Sequence, residues 1–227
     1  MTQRSRGRVE NRESPFETVK VPMKFEVVVL AAGQSRRFGA ANKLLAQVGS
    51  EPLVVGLVRR LTQVRDGERP CTVTVVTQTS NDELTQALQE AGLTDGIQIV
   101  PNARSLDGMG TSVAAGVANV PDDVDAVVVV PGDMPFVGAP LIEQLIAAFV
   151  ADGGHRPVHP VLPDGTQTNP VVWPRAYFQR LTALDGDRGA KSLLVDANAL
   201  TIQLAEPDAA TDIDTPHDLA RLTGRFV

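Results

Sequence analysis

Arg36, Arg37 and Lys43 follow a Val-rich run, Phe25–Leu30, across a loop of small residues that opens Leu30-Ala31-Ala32-Gly33. Cations behind a strand end make an anion site when the backbone can approach closely, as Gly33 and Gly39 allow. Backbone N–H groups and cationic heads then share the phosphate oxygens. Asp133 stands behind the most apolar run, Ala126–Val130, in Pro131-Gly132-Asp133-Met134-Pro135. A carboxylate there packs poorly and ligates Mg²⁺ well. Asp212 and Asp214 alternate around Ile213, so both face one side while Ile213 packs inward. Asp214 is the second candidate metal carboxylate, with Asp212 the runner-up. Gly108-Met109-Gly110-Thr111-Ser112 opens a helix. Its small residues admit a flat base, Ser112 offers one hydrogen bond, and the helix start adds partial positive charge. Together these segments point to metal-assisted chemistry on a triphosphate. The plain alternatives are a solvated turn for the cations, a turn cap for Asp133 and a helix cap for Asp214. The cation loop lacks the Gly-Lys-Ser/Thr of a Walker A loop and the G-x-G-x-x-G spacing of a dinucleotide fingerprint.

Further groups lie in the last third. Asn169 falls between the turn Pro163-Asp164-Gly165-Thr166 and Pro170, where it can bond a polar substrate. Gly186-Asp187-Arg188-Gly189-Ala190-Lys191 is a second cationic loop-to-helix segment, in which Asp187 would repel phosphate unless paired with Arg188 or turned away. Asn169, Arg188 and Lys191 are the candidate contacts to an acceptor. His155 and His159 share a face of an extended segment but lack a third ligand, which argues against zinc. Trp173 and Tyr177 suit core packing or stacking on a large substrate.

The positioning elements alternate. Phe25–Leu30, Cys71–Val76, Ile97–Val100 and Ala126–Val130 read as strands, the Val-rich ones as buried parallel strands. Leu53, Leu57, Leu61 and Val64, then Leu84, Leu88 and Ala91, keep helical spacing. Helices also fit residues 111–120 and the stretch holding Leu141, Leu145, Ile146 and Phe149. After Gly153 the reading is two extended stretches, His155–Leu162 and Thr168–Trp173, helices over Tyr177–Leu184 and Ala190–Val195, a strand Ala199–Leu204 and a last helix capped by Thr215. This is a doubly wound, three-layer Rossmann-like α/β fold with a mostly parallel central sheet. Residues 1–24 are polar and aperiodic, a flexible leader. Residues 25–227 form a single domain, with 25–150 as the nucleotide-binding half and 151–227 as the acceptor-binding half. Ligands of such sheets bind beyond the carboxyl ends of strands, where the loops from Ala31, Pro101 and Pro131 meet.

Composition agrees with a globular enzyme: 227 residues, 43% hydrophobic and 21% charged, with net charge −6. No basic domain stands out, which disfavours nucleic acid. The lone Cys71 has no disulfide partner and reads as a buried, inert thiol. No signal peptide is evident, and no apolar run approaches the ~18 residues of a membrane span, so the expected place is the cytoplasm.

In this order the segments resemble the MobA-like nucleotidyltransferases, most of all the molybdenum cofactor cytidylyltransferases. The likeness runs from about Phe25 to Leu222. It rests on Leu30–Gly33, Ser35–Gly39 and Lys43, on Gly108–Ser112, on Gly132–Pro135, on Gly186–Ala190 and on Asp212–Pro216. The resemblance implies transfer of a nucleoside monophosphate from a nucleoside triphosphate, with release of pyrophosphate. It implies that Lys43 and Arg36, with Arg37 beside them, hold the triphosphate, and that Asp133 and Asp214 hold Mg²⁺. The base would lie on Leu30-Ala31-Ala32-Gly33 and on Gly108, Gly110 and Ser112. Guanylyl-transferring relatives tend to carry Leu-Ala-Gly-Gly, so Ala32 leans toward CTP. The acceptor in that branch is the terminal phosphate of molybdenum-bearing molybdopterin. Partners would be insertion chaperones and molybdenum hydroxylases. Here Thr166-Gln167-Thr168 precedes Asn169-Pro170-Val171, where a Gly-His-Pro-Val or Gly-Asn-Pro-Val sequence is expected. That departure leaves another phosphorylated acceptor open, beside a nicotinamide-dependent reductase on this fold and a non-catalytic nucleotide- or cofactor-binding protein.

Overall fold

The computed structural model describes residues 22–34, 38, 42–79, 82–204 and 207–223. Arg36, Arg37, Gly39 and the expected leader up to residue 21 lie outside them. Strands β1 (Phe25–Leu30), β2 (Thr72–Gln78), β3 (Ile97–Asn102), β4 (Ala126–Pro131), β5 (Val158–Val161), β6 (Val171–Pro174) and β7 (Leu200–Gln203) build one 7-stranded sheet. Their order is β7-β5-β6-β4-β1-β2-β3. Every pairing is parallel except the two made by β6. The Val runs occupy the centre because β1 and β4 are covered on both faces.

The pleat divides the core. Val27 and Val29 pack with helices α1 (Leu53–Leu61), α2 (Asp82–Glu90) and α4 (Ala139–Ala151) on one face. Val28 packs on the other, with α3 (Met109–Ala118) and α5 (Phe178–Thr182). The expected three-layer α/β architecture is present. Trp173 is fully buried in the second layer, so it serves packing and not stacking on a substrate. Glu26 is a buried carboxylate on β1, satisfied by the hydroxyls of Thr72 and of Thr74, the latter at 2.5 Å. Burial first, then the carboxylates of Asp66, Glu143 and Glu26, push the Cys71 thiol up to about 12, which makes it the inert group expected.

The second half departs in detail. The helix expected over Ala190–Val195 is a single 3₁₀ turn, Ala190–Leu193. Ala190 and Leu194 are buried but Val195 is 83% exposed, so one short turn is all the packing supports. The helix expected over Tyr177–Leu184 is the shorter α5, entered through a 3₁₀ turn Arg175–Tyr177. The last helix, α6 (Pro216–Thr223), starts as expected. The Thr215 hydroxyl donates to Asp218 Oδ2 at 2.7 Å, and the Asp218 N–H donates back to the Thr215 oxygen at 3.2 Å. Among the described residues no helix is long and apolar enough to cross a membrane.

Candidate active site

The site begins where β1 and β4 end together, with Leu30 opposite Pro131. The Gly132 N–H donates to the Leu30 carbonyl at 2.9 Å. A Cβ at Gly132 would stand 2.7 Å from that oxygen, so only glycine keeps the two chain ends this close. Asp133 is thereby set just beyond β1. Its carbonyl accepts the Ile213 N–H at 2.9 Å, which lays the C-terminal segment across the sheet end. Ile213 is fully buried, as the alternation predicts. The capping of α6 falls to Thr215, which leaves the Asp214 carboxylate to the site.

Lys43 closes the cluster. Its Nζ donates to Asp133 Oδ2 at 2.6 Å, to the Ile213 carbonyl at 3.0 Å and to Asp214 Oδ1 at 3.4 Å. One ammonium thus sits between the two carboxylates singled out as metal ligands. The side chains of Lys43, Asp133 and Asp214 are 12%, 22% and 41% exposed, so these three charges form a half-buried cluster and not a solvated surface bridge. The residue Asp212 is exposed. Partial desolvation of its carboxyl, and then the charge of Asp133, raise its pKa above the usual range.

A cleft of about 480 Å³ opens beside the cluster, bounded by Ala32, Gly33, Gly108, Ser112, Asp133 and Asp214. Its far wall is a buried hydrogen-bond network. Asn102 donates to Thr111 Oγ1 at 3.0 Å and to Ser112 Oγ at 3.1 Å, and its own oxygen accepts the Arg104 N–H at 2.9 Å. Ser112 therefore already serves as an acceptor within the wall, which leaves its hydroxyl proton to give. Gln78 holds the near wall through the carbonyls of Ala32 and Gly33, at 3.3 and 3.1 Å.

Gly108 lines the cleft, and Gly108 and Gly110 also pack against a second loop that the sequence reading did not anticipate. A Cβ on Gly108 would meet Gly186 C at 2.3 Å, and one on Gly110 would meet the Arg188 carbonyl oxygen at 2.7 Å. The space they leave is filled by the backbone of residues 185–188, and Gly110 N–H donates to the Gly186 carbonyl at 2.9 Å. Arg104 rivets the two loops, reaching Asp107 at 2.9 Å and Asp185 at 2.8 Å. Asp187 lines the cleft, so it is not turned away. Asn169, Arg188 and Lys191 are not among the cleft-lining residues. Lys191 instead donates to the Gln167 carbonyl at 2.7 Å, Arg188 is exposed, and Asn169 is half-buried before a cis bond to Pro170.

The family model for the MobA-like NTP transferase domain matches residues 27–201. The chain belongs to that family. It is a MobA-like nucleotidyltransferase, with the fold and loop order expected of one. A molybdenum cofactor guanylyltransferase of Vibrio campbellii is 24% identical over 205 residues, 88% of this chain and 95% of the relative. The crystal structure of an Rv0371c homologue from Mycobacterium sp. strain JC1 is 26% identical, covers 89% of this chain and 96% of its own, and superposes with a TM-score of 0.73. The manganese complex of Rv0371c from Mycobacterium tuberculosis H37Rv is 21% identical, covers 90% and 100%, and has a TM-score of 0.68.

Within this MobA-like site Arg60, Gln78 and the Arg104–Asp185 pair carry no sequence signal beyond their polarity, and were missed. Arg60 reaches from α1 to the loop that starts at Asp133, donating to the Pro135 carbonyl at 2.5 Å and the Val137 carbonyl at 3.2 Å. Burial lowers its pKa, against the raising effect of Glu51. Arg60→Met leaves two carbonyls short of a charged donor and is expected to cost about 2–4 kcal/mol in denaturant unfolding. Arg60→Lys is expected to recover only part of this, because one ammonium cannot span both carbonyls.

Proposed function

We propose that this nucleotidyltransferase moves CMP from CTP to the terminal phosphate of molybdenum-bearing molybdopterin, with Mg²⁺ held by Asp133 and Asp214. The observation that carries the reading is the single ammonium held between those carboxylates at the mouth of the cleft. Two carboxylate oxygens within reach of one cation suit a hard divalent ion whose other ligands are phosphate oxygens and water. Among the described residues no group of three or more His, Cys, Asp and Glu is placed to hold a metal ion, so phosphate and water would have to complete the ligand set. The manganese bound by the Mycobacterium tuberculosis neighbour and the molybdenum cofactor activity named for the Vibrio relative support the same reading. When bound, the ion supplies charge neutralisation at the α-phosphate.

The chain's own groups do the rest. An acceptor phosphate oxygen attacks the α-phosphorus in line. A new P–O bond forms as the α–β bridging bond breaks, and pyrophosphate leaves with the bonding pair. Lys43, with Arg36 from the preceding loop, neutralises that departing charge. The attacking phosphate is already ionised, so no histidine base is required. Ala32, Gly33, Gly108 and Ser112 line the cleft in which the base would lie. Ala32 is 1% exposed and packs with Val28 and Val76, so the lean toward CTP rests on the Leu-Ala-Ala-Gly sequence and not on cleft shape. GTP is the second reading, favoured by the guanylyl activity named for the relative.

The test is pyrophosphate release with Mg²⁺ and each of CTP, GTP, ATP and UTP, with and without molybdopterin cofactor. Cofactor-dependent release with CTP is expected. Release with GTP instead moves the assignment to guanylyl transfer, and release with neither rules out both.

A further inference from the structure

We propose that Lys43 is a placeholder cation. Its ammonium keeps the metal carboxylates together before the metal arrives, and it must leave them for the site to load. The proposal rests on the assignment of Asp133 and Asp214 as the metal-binding pair.

The backbone at Lys43 is fixed by packing and capping, whereas its side chain is held at the site through Nζ. Asn42 Oδ1 accepts the Leu44 N–H at 3.1 Å, capping the 3₁₀ turn Lys43–Leu45. Leu44 is 3% exposed in the core, and the Lys43 carbonyl accepts the Ala46 N–H at 3.2 Å. The four-carbon stem can therefore rotate and carry Nζ to a new position without moving the backbone. Nζ leans toward Asp133, at 2.6 Å against 3.4 Å for Asp214, so the weaker contact is to the more exposed carboxylate. The two carboxylates repel each other, and the ammonium offsets that repulsion in the free protein. A divalent cation drawn to the same oxygens competes with it. The phosphates of an incoming nucleotide offer Nζ another partner, and its departure takes one positive charge away from the two carboxylates. Free protein then binds divalent metal weakly, and metal and nucleotide promote each other's binding, as linkage requires.

The experiment measures Mn²⁺ binding to the full chain without nucleotide, by the electron paramagnetic resonance signal of the free ion. Lys43→Met and Lys43→Gln, which remove the charge, are expected to bind Mn²⁺ about tenfold more tightly than the wild type. Lys43→Arg keeps the charge and is expected to show no gain. Adding Asp214→Asn to Lys43→Met is expected to abolish the gain, which places the bound ion at this pair. The proposal is overturned if a folded Lys43→Met or Lys43→Gln binds Mn²⁺ no more tightly than the wild type. It is equally overturned if Lys43→Arg gains as much, or if Asp214→Asn leaves the gain intact. Wild-type pyrophosphate release separates the two levels. If it persists while the Mn²⁺ gain is absent, only the placeholder role falls. If no nucleotide supports release, the catalytic assignment falls with it.

Discussion

Asp133→Asn lowers the rate of pyrophosphate release by about 10³-fold or more at saturating Mg²⁺ and nucleotide, with the protein still folded. The size follows from position. Asp133 is the carboxylate that Gly132 holds against the β1 end, and Lys43 binds it more closely than it binds Asp214. An amide keeps the volume and loses the charge that attracts a divalent ion. The stability change is small for a site residue, about 1 kcal/mol, because the backbone contact from Ile213 N–H to the Asp133 carbonyl survives. Lys43 also keeps its Ile213 carbonyl and Asp214. Asp214→Asn is expected to act in the same direction and more weakly, since that side chain is 41% exposed. Turnover and a thermal melt on the same preparation check both statements. An Asp133→Asn protein that turns over at the wild-type rate would remove the carboxylate from the chemistry.

How much of this could be read from the chain depends on whether the cause was local. Phe25–Leu30 and Ala126–Val130 announce themselves because a strand buried on both faces must be apolar throughout. Asp133 is legible because a charge directly behind such a run has few structural reasons to be there. The inward Ile213 and its flanking carboxylates follow from the period of an extended chain. The Lys43 partnership is of another kind. Lys43 lies 90 residues from Asp133 and 171 from Asp214, and no pattern in sequence distinguishes a lysine that grips phosphate from one that bridges carboxylates. Arg60 looks like any cation on the polar side of a helix, and Arg104 is 81 residues from Asp185. The small residues of Gly108–Ser112 show that the backbone there is approached closely, but not by what. The structure packs a neighbouring loop against Gly108 and Gly110, while Gly108 and Ser112 also line the cleft.

That distinction makes Gly108→Ala the second large effect, in stability rather than chemistry. Gly108 has φ 117 and ψ 172, a backbone region open in practice only to glycine. An added Cβ would lie 2.3 Å from Gly186 C, 2.4 Å from its oxygen and 2.6 Å from Asp187 N. All three are backbone atoms, so no side chain can swing aside. Either α3 shifts at its start or the 185–188 loop moves off, and both break the Gly110–Gly186 hydrogen bond and strain the Arg104–Asp185 bridge. The expected cost is about 3 kcal/mol or more. In a chain of this size that lowers the melting temperature by roughly 6–12 °C. Because the wall moves while Asp133 and Lys43 stay, substrate KM values rise more than kcat falls. Gly186→Ala is the control on the partner loop. It also has a positive φ, 63, yet its Cβ would meet nothing closer than 3.9 Å, so about 1 kcal/mol is expected. If Gly108→Ala melts no lower than Gly186→Ala, the two loops are not packed against each other in solution.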